Sequence, residues 1–334
     1  MALNFKKTGL TAPFGRDILI KVLALGRLFF IFCCFPGFSR AAESSLSSTE
    51  TPMPTVESED SLPLWDAGAA LIYLRFPFYP ASDQTKTWFL PAPTFEYRGE
   101  ILRSTQREGT RAYFLRSDRW SLEMGGDGVP EVKSNETFAR QGMDNIPWSL
   151  QLGPKAVYRG DDNLVISLGV NQVIATDFTR FKANGLTYEA RIGKTWLKEV
   201  SPWSHHGIYK TVLSIGGSSA TADYLATYFE VSPEFATASR PAYEARAGFL
   251  SYDILIGQSV KFKNFSLFSY VNSERFENSV NRRSPLHKSD DNLLVTFGFS
   301  YVLFQSDKKS IPESESEGLL QKINPFTAPN SDSK

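Results

Sequence analysis

The chain has 334 residues, with 36 basic against 36 acidic side chains, 42% hydrophobic residues and 2 cysteines. This balance suits one or two folded domains and excludes a disordered, highly charged polymer. A formal net charge of zero provides no basic field for nucleic acid, so we expect no nucleic-acid partner, and two adjacent cysteines cannot form a disulfide framework.

The first predicted element is an export signal over residues 1–41. Six basic residues and the single acid Asp17 accompany an uncharged, mostly apolar stretch of twelve residues at 28–39. Twelve residues are too few to cross a bilayer as a helix, which takes roughly 17–25. Small residues at Ser39 and Ala41 fit a cleavage site after Ala41. Cleavage there removes Cys33 and Cys34 and leaves a mature chain without cysteine.

Two polar segments flank the centre of the chain and predict disordered ends. Residues 42–62 and 305–334 are rich in Ser, Glu and Pro and contain few side chains to bury. The part between them, residues 63–304, is therefore expected to fold.

Within 63–304, apolar residues alternate with polar or small ones, which is the period of a β-strand. A polar turn at 160–163 separates two such runs and predicts a β-hairpin, and a second hairpin is expected over 254–271. Thirteen candidate strands follow in chain order: 66–75, 90–103, 109–117, 119–125, 147–159, 163–174, 185–197, 207–216, 223–231, 241–251, 252–263, 264–275 and 291–304.

The alternation fits two kinds of β-structure. In a soluble sandwich or lipocalin-type barrel, the apolar faces form a core and the polar faces meet water. In an outer-membrane barrel, the apolar faces meet lipid and the polar faces line the lumen. The charged residues that would then line the lumen are Lys155, Glu189, Arg191, Glu244, Arg246 and Lys261.

Three features favour the membrane barrel. Several runs reach the 9–12 residues that a tilted strand needs in a bilayer. An exported chain without a long apolar helix can span a membrane only as a closed barrel. Aromatic residues near strand ends suit an interfacial girdle: Trp65, Trp88, Trp120, Trp148, Trp196 and Tyr301.

We therefore predict an all-β fold, a transmembrane antiparallel up-and-down β-barrel. Bacterial single-chain barrels have even strand numbers, and the candidate at 223–231 also fits a helical turn. The expected number is twelve strands, with ten as the fallback.

Six short motifs occur in order along the part that is expected to fold. They are Pro91-x-Pro93-x-x-x-Tyr97-Arg98-Gly99, Arg140-Gln141-Gly142-Met143, Leu152-Gly153-Pro154, Asp223-Tyr224 to Val231-Ser232-Pro233, Arg240-Pro241-Ala242-Tyr243 and Ser284-Pro285-Leu286. With these motifs and the gaps between them, residues 63–304 resemble the MipA/OmpV family of outer-membrane proteins.

The resemblance implies a barrel in the outer membrane of a Gram-negative bacterium, in contact with outer-membrane lipid. The named member of that family is a scaffold that binds a lytic transglycosylase and a bifunctional peptidoglycan synthase, and other members are adhesins or immunogenic surface proteins. The chain departs from the usual pattern at its C-terminus. Phe304 is followed by a polar tail and falls on the lumen side of the alternation.

The sequence offers few candidates for catalysis or metal binding. A His–Ser–acid site needs a histidine oriented by a carboxylate beside an exposed serine. His205 and His206 lie in a loop-like stretch without a third metal ligand at suitable spacing, and His287 lies in another predicted loop. We predict no catalytic residue, no cofactor and no metal site.

The segment 125–128, Gly-Gly-Asp-Gly, is interpreted as a surface turn. It lacks the ligand spacing of an EF-hand, and no P-loop lysine follows it. The motif residues Arg98 and Arg240 are expected to have structural roles and to reach lumen carboxylates, while Gly99 and Pro241 shape strand ends.

The charged lumen faces support either a pore or a plug. Rings of charge can set the ion selectivity of a channel. Alternatively, Glu189 and Arg191 cross-pair with Glu244 and Arg246 and fill the lumen. A barrel of twelve strands or fewer is narrow enough for side chains and loops to fill, which favours the plug.

The leading hypothesis for function is a non-enzymatic scaffold or docking protein for peptidoglycan-remodelling enzymes. The alternatives are a small-solute channel, suggested by the charged lumen, and a surface adhesin. An envelope enzyme that modifies lipid is the weakest alternative because it rests on His205 and His206 alone.

Overall fold

The computed structural model describes residues 63–105, 109–200, 207–262 and 264–310. The predicted export signal, the leader at 42–62 and residues 311–334 of the tail lie outside these ranges. Strands dominate the described part, and twelve of them close an antiparallel barrel. This confirms the predicted fold class and the expected number of strands.

Each strand pairs with its neighbours along the chain, and the first strand closes the ring against the last. The strands are β1 (Trp65–Pro77), β2 (Thr85–Arg98), β3 (Leu102–Thr105), β4 (Gly109–Arg116), β5 (Trp120–Val129), β6 (Trp148–Arg159), β7 (Leu164–Thr176), β8 (Phe181–Val200), β9 (Gly207–Ala220), β10 (Gly248–Lys261), β11 (Phe265–Arg275) and β12 (Asp291–Gln305). An α-helix, α1 (Ala222–Phe229), follows β9.

The two faces of the strands differ as the alternation predicts. Leu168 on β7 and Phe297 on β12 point outward and expose 60% and 52% of their surface. The inward neighbours Ser167 and Thr296 are buried. Exposed apolar side chains on the outside of a closed barrel are the pattern of a lipid-facing surface.

The two ends of the barrel differ in the length of their connections. At one end β1 begins, β12 ends and the turns are short, at 99–101, 117–119 and 160–163. We call this the terminal end. The opposite end, the loop end, carries the four longer connections at 78–84, 130–147, 221–247 and 276–290, together with a short turn at 177–180. In outer-membrane barrels the short turns face the periplasm, and in this chain the short turns between β2 and β3, β4 and β5, and β6 and β7 lie at the terminal end.

Four of the candidate strands were wrong in type or extent. The segment 223–231 lies mostly in helix α1. The candidates at 241–251 and 252–263 form the single strand β10, which begins only at Gly248. The candidate at 90–103 is divided into β2 and β3 by a turn at Gly99, where a Cβ atom would lie 2.9 Å from the Leu102 carbonyl oxygen.

The C-terminal strand corrects the expectation for Phe304. Strand β12 pairs Phe304 with Ala67 and Val302 with Gly68, so one extra residue of β12 forms a β-bulge. A bulge reverses the alternation beyond it. Phe304 therefore lies on the outward face with Tyr301 and is 67% exposed.

The aromatic girdle is present in part. Trp65, Trp120 and Trp148 are the first residues of their strands. Trp88 instead pairs with the inward-facing Leu74 and packs edge-on against Phe76, with ring centroids 5.0 Å apart. Its predicted place in the girdle is therefore wrong.

Across the described ranges, the structure contains no helix with the length and apolar character needed to cross a bilayer.

Candidate functional site

The terminal half of the lumen is occupied by a charged cluster around Arg98. The Arg98 guanidinium donates to Asp66, with Nη2 2.7 Å from Oδ2, and to Glu96. Lys261 lies 3.5 Å from the same glutamate carboxylate. Arg98, Asp66 and Glu96 each expose 6% of their surface or less. The prediction that Arg98 reaches lumen carboxylates is confirmed.

A second charged cluster, on β5 and β6, lies at the same end of the lumen. Arg159 at the end of β6 donates to Glu123 on β5 at 2.9 Å and to the Ser121 hydroxyl at 2.8 Å. Arg159 and Glu123 are 5% and 4% exposed. Removing one partner of such a buried pair leaves an uncompensated charge. We call the Arg98 and Arg159 clusters together the ion-pair plug.

Aromatic side chains fill more of the lumen beside the plug. The Phe268 ring lies against Gly298, where no Cβ atom fits. The Tyr270 ring covers Gly257 in the same way, because a Cβ atom on this glycine would lie 2.8 Å from the ring. Glycines on the inward faces of β10 and β12 thus make room for rings from the neighbouring strand β11.

The predicted cross-pairing of lumen charges is wrong in its partners. Glu244 and Arg246 precede β10, lie outside the strands and are exposed. Arg191 instead forms a bidentate pair with Asp253 of β10, at 2.9 and 3.0 Å. A plug was expected, but its members Asp66 and Glu123 were not predicted, and neither was Asp253 as the partner of Arg191. Their signal was available, because each occupies an inward position in an alternating strand.

Loops pack together over the loop end and form what we call the cap. Its apolar centre contains Tyr224, Leu225 and Phe229 of helix α1 together with Phe276, all with 0% exposure, and Ile146. The helix presents these residues because positions i, i+1, i+4 and i+5 share one face. The cap closes the lumen on the side opposite the ion-pair plug.

Polar contacts fasten the loops of the cap to one another. Arg140 donates to the Tyr228 and Asp144 carbonyl oxygens, and its guanidinium lies 5.9 Å from the Tyr79 ring centroid. Burial lowers the pKa of Arg140 and raises the pKa of Tyr79. Both groups are thus held away from water.

Arg240 belongs to the cap and not to the lumen. It donates to the carbonyl oxygens of Phe235, at 2.9 Å, and of Ala139 and Gln141, both at 3.0 Å. The prediction that Arg240 reaches a lumen carboxylate is therefore wrong. Four of the six motifs that carry the family resemblance have residues in this cap: those at 140–143, 223–233, 240–243 and 284–286.

His287 is a loop residue of the cap, and its side chain is only 6% exposed. Its Nε2 lies 2.9 Å from Asp290, and Arg282 holds the same carboxylate. Ser284 is the nearest serine that precedes it along the chain, but its hydroxyl donates to the Phe229 carbonyl oxygen at 2.6 Å. This arrangement fixes the loop at 276–290 and leaves the Ser284 hydroxyl buried and engaged.

Two other sequence predictions concern the segment 125–128 and the pair His205 and His206. The segment 125–128 lies inside strand β5, so its interpretation as a surface turn is wrong. His205 and His206 lie outside the described residues, and their predicted loop position stays a prediction.

Charged side chains cluster on the surface of the terminal end. Asp161 and Asp162, in the turn between β6 and β7, expose 86% and 87% of their side chains. Arg119 lies 3.1 Å from Asp161, and Lys194 lies 3.9 Å from Asp162. This part of the terminal end is a strongly solvated, charged surface.

A family profile described as "MltA-interacting protein MipA" matches residues 67–303. Among curated proteins, no sequence matches the chain. An outer membrane channel from Pseudomonas putida F1 is similar in structure, with 10% identity, coverage of 76% of this chain and 100% of that chain, and a TM-score of 0.29. A porin is also similar in structure, with 11% identity, coverage of 72% of this chain and 100% of that chain, and a TM-score of 0.24. TM-scores this low carry no argument about function.

Proposed function

The chain belongs to the MltA-interacting protein MipA family, and from this premise we propose that it is a non-enzymatic docking protein of the outer membrane. Its partner is a lytic transglycosylase of the MltA type, bound at the terminal end. A bifunctional peptidoglycan synthase is the second partner that this role implies. The barrel anchors these wall enzymes to the membrane and carries out no chemistry of its own.

One observation supports docking over transport: the lumen is filled. Inward charged residues such as Arg98, Glu123 and Arg159 are 4–5% exposed, whereas side chains that line a water-filled pore are hydrated. The cap covers the loop end above them. A barrel that is filled and covered in this way provides rigid surfaces and no wide path for solutes.

The terminal end supports the position of the partner. It faces the periplasm by the orientation of its short turns, and wall enzymes act in that compartment. Asp161 and Asp162 are almost fully exposed there. Exposed charges raise association rates and select partners more than they add affinity.

The test is a binding measurement with purified components. The mature chain is reconstituted in lipid nanodiscs and titrated with an MltA-type lytic transglycosylase, and an unrelated outer-membrane barrel serves as the negative control. We expect saturable binding at the terminal end only for this chain. Binding no stronger than to the unrelated barrel would remove the docking proposal.

A matched pair of variants locates the docking surface. Asp161→Lys/Asp162→Lys reverses two exposed charges at the terminal end, and Glu234→Lys/Glu244→Lys reverses two exposed charges at the loop end. We expect the first variant to slow association about tenfold at low salt and the second to leave it unchanged. The opposite result would place the docking surface at the loop end.

A further inference from the structure

A row of polar side chains crosses the outer surface of the barrel. Thr211 of β9, Gln258 of β10 and Ser269 of β11 lie directly opposite one another in their ladders. Residues that are opposite in a ladder lie on the same face of the sheet, and Gln258 is exposed on the outward face. We call these three residues the polar row.

The polar row lies within the apolar outer surface and not at its rim. The next row toward the loop end is formed by Leu213, Ile256 and Val271. The next row toward the terminal end is formed by Tyr209, Val260 and Leu267. Because mostly apolar residues flank it on both sides, the polar row belongs to the band of the wall that contacts hydrocarbon.

The side chains of the polar row have no hydrogen-bond partner within the described part of the chain. This holds for the Gln258 amide and for the hydroxyls of Thr211 and Ser269. An amide carries two N–H donors and one acceptor oxygen. Hydrocarbon provides no group to bond them, so an unpaired amide in lipid is costly. The polar row therefore favours a partner that brings polar groups to the same depth of the membrane.

A groove of about 510 Å³ lies beside the polar row on the outer surface. Gln258 and Ser269 line it. On the side of β12, β1 and β2 it is bordered by large rings, which we call the aromatic ridge: Phe297, Phe299, Tyr73 and Phe89. Phe89 and Phe297 are 68% and 52% exposed. The surface thus presents a groove and a ridge side by side.

A second copy of this chain suits this surface in shape and in hydrogen bonding. A lipid acyl chain fills a groove but offers no polar group to the Gln258 amide. In a two-fold interface the same patch faces itself. The aromatic ridge of one copy then meets the groove of the other, and the Gln258 amide, which both donates and accepts, meets its equivalent. A two-fold axis along the membrane normal keeps both copies in the same orientation.

We propose that the outer surface around the polar row is a homodimer interface within the membrane, in which the two Gln258 side chains bond each other across the two-fold axis. Thr211 and Ser269 bring further hydroxyl groups to the same contact. The dimer leaves the terminal end of each barrel accessible. This inference is therefore independent of the docking proposal.

The test measures self-association of the mature chain in lipid vesicles by energy transfer. Residues 42–334 contain no cysteine, so Ala238→Cys, at an exposed position of the loop end, takes a single donor or acceptor dye. We expect transfer that saturates with added acceptor chain and falls when unlabelled chain is added. An unrelated outer-membrane barrel that carries the acceptor controls for crowding. Transfer no greater than with this barrel at every ratio of protein to lipid would overturn the proposal.

Variants locate the interface. Gln258→Leu removes the amide at similar volume and is expected to weaken self-association about tenfold, whereas Gln258→Asn keeps an amide and is expected to weaken it less. Ser269→Phe fills the groove and is expected to abolish the transfer. Met124→Leu changes an outward residue of β5, across the barrel from β11. It is the matched control and is expected to associate like the wild type.

Heat-modifiable mobility in electrophoresis shows that each variant is folded. If either Gln258→Leu or Ser269→Phe does not fold, the other answers the question. Self-association that is unchanged in the folded variants would assign it to another surface and overturn the proposal.

Discussion

The two halves of the lumen are closed in different ways. In the terminal half, all twelve strands overlap, and buried ion pairs and aromatic rings occupy the interior. In the loop half, the short strands β3 and β4 no longer contribute to the wall, and a cavity remains below the cap.

The difference shows that strand length decides how a lumen is filled. Where neighbouring strands run side by side, inward residues of those strands meet and pair, as Arg159 of β6 and Glu123 of β5 do. Where the wall is low, the facing side chains have no counterpart. Loops must then close the end, and the motif residues of the cap supply that closure.

The largest loss of folding stability is expected from Arg159→Ala. This change removes the guanidinium from a pair that is 5% exposed on both sides and leaves Glu123 buried. Breaking a buried pair in this way costs about 3–5 kcal/mol. The measurement is the urea midpoint of unfolding in detergent micelles, followed by the heat-modifiable mobility of the folded barrel in electrophoresis.

The control for this prediction is Arg119→Ala, which removes an exposed pair with Asp161 at the same end. We expect little change in its midpoint, because exposed ion pairs contribute little. Equal midpoints for the Arg159 and Arg119 variants would contradict a structural role for the ion-pair plug.

A local effect is expected from Phe229→Ala in the cap. Phe229 is 0% exposed, and truncation of a buried phenylalanine costs about 3–5 kcal/mol. Because the cap lies outside the barrel ladder, we expect the loops at 221–247 and 276–290 to become sensitive to protease while the barrel stays heat-modifiable. Phe138→Ala, at a loop position with 84% exposure, is the matched control. Loss of the heat-modifiable mobility would show that the cap and the barrel do not unfold independently.

The smallest effect is a dependence of the cap on pH. Hydrogen bonds from Arg282 and then from His287 lower the pKa of Asp290 below its ordinary 3.8. A lowered pKa stabilises the folded loop above about pH 4, and this stabilisation is lost as the pH falls through the folded value. Hydrogen exchange at 276–290, corrected for the intrinsic rate at each pH, should therefore show weaker protection at pH 3 than at pH 7.

Asp290→Asn tests the assignment of this pH dependence. The variant lacks the titrating carboxylate, so its protection at 276–290 should change less between the two pH values than in the wild type. An unchanged pH dependence would assign the effect to another group.

Much of the barrel could be predicted from residues that alternate. The predicted strands at 147–159 and 163–174 differ from β6 and β7 by at most two residues at each end, because lipid on one side and a filled lumen on the other impose period two. The segment 223–231 was the exception. Its buried residues Tyr224, Leu225, Tyr228 and Phe229 have helical spacing, which was visible in the sequence and was outweighed by its β-prone composition.

The partners within the lumen could not be predicted from alternation. Alternation predicts that Arg191 points inward. Its partner Asp253, 62 residues along the chain, depends on the register and stagger of the strands between them. The extent of the β2–β3 ladder depends likewise on the length of β3, which has four residues and pairs with β2 only at Tyr97 and Arg98. Glu244 and Arg246 lie in the loop that precedes β10, which begins at Gly248. The alternation around these two residues does not reflect a strand.

The central claim, a filled barrel that docks a partner and does not conduct, is tested most directly by single-channel recording. The wild-type mature chain, shown to be folded by its heat-modifiable mobility, is inserted in planar lipid bilayers under symmetric salt. We predict no steady conductance steps. Regular steps of constant size from the folded wild-type protein would contradict the filled lumen and favour the channel.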